Sequence, residues 1–208
     1  MGGDQPDLAP IAGLYEDSLS RHGDTPMGVG WRTEDSQNLR FDKLLAVLDI
    51  DEATPVEVND LGCGYAALFE HLERRGVTVG AYVGYDISDK MLRSAAERVP
   101  ADRTSLVRSA SVTVVGDYSF ASGIFNVRLD ADEGHWASYV QATVRNLAAH
   151  SRRGFAFNLL TSYCDYREDH LFYGDPMWWF DWCKREVTPR VALLHDYPLY
   201  EWTLVGRT

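Results

Sequence analysis

The run Val58-Asn59-Asp60-Leu61-Gly62-Cys63-Gly64-Tyr65-Ala66-Ala67-Leu68-Phe69 passes from a strand-like apolar segment through two glycines into a helical pattern. A glycine carries no Cβ, so Gly62 and Gly64 permit a sharp turn and let a ligand approach the backbone closely, with the N-terminus of the following helix facing it. Twenty-two residues after Gly64, Asp86 closes the next apolar stretch. A carboxylate at that place accepts hydrogen bonds from ribose hydroxyls. The glycine pair alone reads equally well as a tight strand-to-helix turn; Asp86 tips it towards a nucleotide site.

Two kinds of nucleotide compete for this backbone. Gly62, Gly64 and Ala67 fit the G-x-G-x-x-A pattern of dinucleotide sites. Asp60 argues against that ligand, because a carboxylate at the strand end repels a pyrophosphate and attracts an ammonium group. S-adenosylmethionine, with a sulfonium and an ammonium against one carboxylate, carries the complementary positive charge. The 55 residues before the first strand and a closing pair of strands also suit a methyl-transfer enzyme better than a dinucleotide domain.

The elements that must position these residues alternate. Residues 8–22 place Leu8, Ile11, Leu14, Tyr15 and Leu19 at helical spacing, and residues 34–48 repeat the pattern with Leu39, Phe41, Leu44, Leu45 and Leu48. Strands are expected over 56–61, 79–85, 105–108, 119–124 and 154–160, with helices over 65–75, 88–99, 136–149 and 176–185. Ser88 is an N-cap and Pro100 a stop. Strands 191–196 and 200–205 close the chain as a hairpin. This is β/α alternation, an α/β class of fold.

Composition bounds the partners. The 208 residues carry 31 acidic and 20 basic side chains, a net charge of −11, which disfavours a phosphate backbone or an anionic membrane surface as ligand. Three cysteines without CxxC spacing read as reduced thiols with no metal bound, in a cytoplasmic protein. No apolar run reaches the length of a membrane span.

In DLGCGYA at 60–66 and VGYDISDKMLRSAAERV at 83–99, the sequence resembles the class I S-adenosylmethionine-dependent methyltransferases, of a small bacterial, single-domain type. The match runs in order and spacing over residues 56–207. It implies a Rossmann-like sheet of seven mostly parallel strands, with an antiparallel C-terminal strand and helices on both faces. By the same resemblance Asp60 and the Gly62 and Gly64 backbone hold the methionine part, Asp86 the ribose, and Ile87 packs on adenine. Residues 30–45, GWRTEDSQNLRFDKLL, look like the helical lid of a bacterial subfamily. Tyr15, Trp31 and Arg40 would close over the cofactor there, Arg40 pairing its carboxylate. The expected division is a lid over 1–50 and a cofactor-binding core over 51–208, forming one structural domain.

Two departures from the family stand out. Ala66 replaces its usual third glycine, and Arg108-Ser109-Ala110-Ser111 replaces the usual acidic residue near the adenine amine, leaving Ser109 or its backbone to serve.

The loops after the fourth and fifth strands are expected to form the acceptor pocket. In the first, Ser122 and Gly123 would approach the methionine tail, and Asn126 either bonds the acceptor or caps the loop. The second, residues 160–176, is longer than a connection needs and carries His170 and Tyr173. His170 is the first candidate base, with Asn126 and Tyr173 beside it; a surface histidine is the plainer reading. The Trp178, Trp179 and Trp182 cluster reads as core packing, as an acceptor face or as a dimer contact. The function expected is O- or N-methylation of a small molecule by a monomer or homodimer. An NAD(P)-dependent oxidoreductase and a non-catalytic cofactor-binding module stay open as alternatives.

Overall fold

A computed structural model of the chain describes residues 6–49 and 54–208. Among the described residues, six α-helices and eight strands form around one sheet: α1 Ala9–His22, α2 Glu34–Leu44, β1 Val56–Leu61, α3 Ala67–Arg74, β2 Val79–Asp86, α4 Asp89–Ala96, β3 Thr104–Arg108, β4 Gly116–Ala121, α5 Glu133–Ala149, β5 Ser151–Thr161, β6 Tyr173–Gly174, α6 Pro176–Glu186, β7 Arg190–Leu194 and β8 Glu201–Arg207. The main order is β3-β2-β1-β4-β5-β8-β7. β8 is antiparallel to both β5 and β7, and the other neighbours pair in parallel. The seven expected strands are present. The eighth, β6, is a two-residue addition along the end of β5.

The strand order reverses between β1 and β4, and a crevice opens at the carboxyl ends of parallel strands at such a point. Strand alternation divides the core in two. Phe41, Leu44 and Val47 join Leu68, Phe69, Leu72 and Ala95 of α3 and α4 over one face, against Val58, Tyr82, Tyr118 and Phe120. Trp136, Val140, Val144 and Leu147 of α5 cover the other face, against Phe155, Phe157 and Leu204. The segment expected as a lid thus supplies helix α2 to the core itself. The proposed boundary at residue 50 lies outside the described residues.

The tryptophans separate. Trp179 and Trp202 are buried around Phe157, and Trp202 donates its indole N–H to Gly174 O at 3.0 Å. Trp178 stacks on Trp182 at the surface with about half of it exposed.

Local chemistry sets the boundaries. Ser88 caps α4 by accepting from the Lys90 and Met91 amides, both at 3.2 Å. α3 begins at Ala67, two residues later than expected, because Gly64 (φ 54°) and Ala66 (φ 64°) are left-handed. For Ala66 that conformation is disfavoured by roughly 1–2 kcal/mol. A glycine at position 66 would relieve this backbone strain. β4 ends at Ala121, earlier than expected, ahead of Gly123 at φ +75°.

Candidate functional site

A cleft opens at the reversal point, holding about 1000 Å³ of space, part of it open to solvent. Its floor is the β1–α3 turn, 60–68. Gly62 has φ +76°, and a Cβ there would lie 2.0 Å from Ile124 Cγ2, so the turns after β1 and β4 touch only because residue 62 is glycine. The Gly62 and Cys63 amides bond Tyr85 O at 2.7 and 2.9 Å, folding the turn over the end of β2. Helix α3 has no side-chain cap, which leaves its first amides for a ligand.

Two carboxylates face this turn. Asp60, second from the end of β1 and 2% exposed, accepts from the Tyr82 hydroxyl at 2.6 Å. It has no cationic partner among the described residues. Burial, with the nearby Asp86 charge adding to it, outweighs the Tyr82 bond and pushes the Asp60 carboxyl up to about 7. Asp86, last in β2, accepts from Gly64 N at 3.0 Å and Ser88 N at 2.9 Å. Burial raises its pKa, opposed by these backbone donors.

The roof comes from the N-terminal segment. Leu8, at the N-cap of α1, and Ile11, Ala12 and Tyr15 within it line the cleft. The helix is held to α4 by Ser88 Oγ donating to Glu16 Oε1 at 2.6 Å and by Lys90 Nζ donating to Glu16 O at 3.2 Å. Burial, then the Asp86 charge, pushes the Tyr15 hydroxyl up to about 12. Trp31 lies on the turn after β4, so close that a Cβ on Gly123 would meet its ring at 2.4 Å. Ile87, Met91, Ser109 and Ala110 form the far wall. Ser109 Oγ donates to Ser111 O at 2.7 Å. Ser122 lines the cleft with a buried Oγ that has no partner among the described residues.

Residues 59–154 match a family model described as a methyltransferase domain. A Mycobacterium tuberculosis protein named "Putative methyltransferase Rv1506c" is 47% identical over 161 residues, 76% of this chain and 96% of that one. The chain belongs to the S-adenosylmethionine-dependent methyltransferases. This sets the oxidoreductase aside. Solved structures share the methyltransferase's fold at low identity. Synechocystis magnesium protoporphyrin IX methyltransferase with bound SAM superposes with a TM-score of 0.68 at 13% identity, covering 100% of this chain and 99% of that one. A DhpI–SAM–HEP complex gives 0.66 at 10% identity, covering 99% and 100%.

The structure brings Tyr15, Trp31, Asp60, Gly62, Gly64, Asp86, Ile87, Ser109 and Ser122 to one cleft of the methyltransferase. Four expected residues lie elsewhere. Arg40 does not face the cleft: its guanidinium forks onto buried Glu201, with Nε at 2.8 and 2.9 Å from the two oxygens and Nη2 at 2.6 Å from Oε1. With that carboxylate paired, Arg40 has no call on a cofactor's. Asn126 is the loop cap, its Oδ1 accepting from Leu160 N at 3.3 Å and its carbonyl from Phe172 N at 2.9 Å. The Tyr173 hydroxyl accepts from Glu168 N at 3.1 Å and its ring lies under Arg167. His170 is half-exposed on a turn and pairs with Glu168 at 3.6 Å. His170→Ala is expected to leave S-adenosylhomocysteine affinity and melting temperature within about twofold and 2 °C of wild type, as for other surface changes. Calorimetry and thermal melts check this.

Sequence reasoning missed Tyr82, which holds Asp60, and the Tyr65–Gln37 pair at 3.0 Å in the cleft wall. Tyr82 carried a signal: it sits two residues before Gly84, the β2 partner of Asp60.

Proposed function

We propose that this methyltransferase acts on a small molecule, seated beside the cofactor under the roof of α1 and Trp31, and transfers the methyl to oxygen or nitrogen. The observation that carries this reading is the covered cleft, whose lining contains no Lys or Arg to meet a nucleic-acid backbone. Three unpaired cysteines support a reducing, cytoplasmic compartment.

The cleft fits S-adenosylmethionine. A buried carboxylate without a cation and a buried hydroxyl without a partner are the groups a methionine ammonium and carboxylate would satisfy. Asp60 and the Gly62 and Gly64 backbone would hold the methionine part, the missing Cβ atoms permitting its close approach because Tyr85 O and Asp86 already engage the amides, with Ser122 at its carboxylate. Asp86 would hold the ribose, and Ile87, Met91 and Ser109 the adenine. Residues 6–31 would act as the lid. When bound, the cofactor supplies an electrophilic methyl on sulfonium. The chain contributes alignment and exclusion of water. Among the described residues the cleft lining contains no His, Lys or Glu, its two carboxylates, Asp60 and Asp86, are taken up by the cofactor, and burial raises the Tyr15, Tyr65 and Tyr139 phenols and the Cys63 thiol. This favours an acceptor whose attacking atom offers a lone pair without help from a dedicated base.

The test is incubation with methyl-labelled S-adenosylmethionine, a metabolite extract, total RNA and total protein. Label is expected in the small-molecule fraction. Label confined to RNA or protein would overturn the reading, and an absence of label in every fraction would favour the non-catalytic module.

A further inference from the structure

The residue opposite Arg40, Glu201, belongs to no motif, yet it closes a ring of contacts that includes both the roof of the cleft and the turn after β4. β8 runs antiparallel to β5, so its first residue lies at the end where β5 finishes. Glu201 is that residue, 1% exposed, and there it receives the bidentate fork of Arg40 from α2. Its Oε2 also accepts from Asn158 Nδ2 at 3.3 Å. Asn158, buried in β5, turns its own Oδ1 to the Gly123 amide at 2.7 Å. Gly123 touches the Trp31 ring, and Arg40 stacks over that same ring at 3.8 Å. The circuit Trp31–Arg40–Glu201–Asn158–Gly123 is thus complete.

We infer that Glu201 is a positioning residue that sets the lid and the turn after β4 in one register. It touches no ligand: neither Glu201, Arg40 nor Asn158 lines the cleft. Arg40 Nη1 donates to Ser36 O at 2.7 Å, which ties the guanidinium to its own helix. A shift of α2 therefore moves Glu201's partner, and through Asn158 moves the Gly123 amide beside Ser122. A planar fork transmits such a shift because its two bonds fix orientation as well as distance. A neutral amide at 201 keeps the shape and loses the fork. The consequence for cofactor affinity rests on the cleft being the S-adenosylmethionine site; the mechanical coupling does not.

Hydrogen exchange and calorimetry on the full chain test this, with Glu201→Gln and the milder Arg40→Lys as variants. In both, amides of residues 26–44 and of residues 121–126 are expected to exchange at least about tenfold faster together, with β1 and β2 unchanged. S-adenosylhomocysteine is expected to bind about tenfold more weakly. In a cycle of Arg40→Lys with Asn158→Ala, two residues whose shared hydrogen-bond partner is Glu201, the losses should be markedly less than additive. Faster exchange in 26–44 with 121–126 as in wild type would overturn the coupling. So would additive losses, or a loosening spread evenly over the sheet, which marks a merely structural pair. If the variants show coupled exchange but wild type binds no S-adenosylhomocysteine, the cofactor reading fails and the coupling stands.

Discussion

Asp60→Asn is expected to melt at a higher temperature than wild type at pH 7.5 and to bind S-adenosylmethionine at least about a hundredfold more weakly. Both effects have one cause. The Asp60 carboxyl is pushed up to about 7 by burial because no cation faces it. A folded-state pKa above the unfolded value of about 3.9 penalises the folded protein wherever the group must ionise. That penalty is absent below about pH 4, grows as pH rises, and is complete above about pH 7, where it is on the order of 4 kcal/mol. Asparagine removes it and still accepts from the Tyr82 hydroxyl. A gain of roughly 8–16 °C at pH 7.5, vanishing near pH 4, follows for a chain of this size. The same substitution leaves an incoming ammonium buried and unpaired, a loss of about 3 kcal/mol or more. A binding site that destabilises its own empty fold is a usual compromise between function and stability.

The proton on Asp60 also makes affinity depend on pH. Only the ionised form attracts a cation, so in wild type affinity should fall up to about tenfold for each pH unit below about 7. Titrations at pH 5.5, 6.5 and 7.5, in buffers of different ionisation enthalpy, would show proton release on binding at the lower values. The Asn variant should show a flat profile and no linked proton. A wild-type affinity constant over this range would mean that Asp60 is ionised before the ligand arrives, and the reading of the cleft as a cation trap would fall.

Sequence resolves what is local. The Gly62–Gly64 turn and Asp86 were legible because strand, turn and strand follow within thirty residues and glycine spacing reports backbone conformation directly. The Arg40 partner was not, since Glu201 lies 161 residues away. It is Arg40's neighbour only because β8 inserts antiparallel between β5 and β7, and a hairpin read from two apolar runs does not say on which side it docks. His170 failed for a related reason. The length of its loop looked functional, but the loop builds β6 along β5 and a bridge between Val127 and Leu171, and this turns His170 outwards. Trp179 was equally ambiguous, because helical spacing gives a face but not what lies opposite.

Asp86→Asn is expected to be at least as damaging as Asp86→Ala, with S-adenosylhomocysteine bound roughly a hundredfold more weakly in either. Each Asp86 oxygen already accepts a backbone amide, Gly64 N on Oδ2 and Ser88 N on Oδ1. A carboxylate oxygen has a second lone pair, so the same two atoms can serve the loop and the two ribose hydroxyls at once. An amide has a single oxygen. Whichever way it turns, its NH₂ faces one of the two amides, donor against donor, at the turn after β1 or the start of α4. Alanine removes both bonds without placing a donor there, and a lost bond of this kind costs about 1–3 kcal/mol. The Asn variant should therefore melt no higher than the Ala variant. Removing the Asp86 charge also withdraws one of the influences that raise the Asp60 carboxyl, so the pH midpoint of any residual binding should move to lower pH. Thermal melts and calorimetry on the two variants decide it. Binding by Asp86→Asn within about threefold of wild type would show that Asp86 braces the loop alone and that the ribose is held elsewhere.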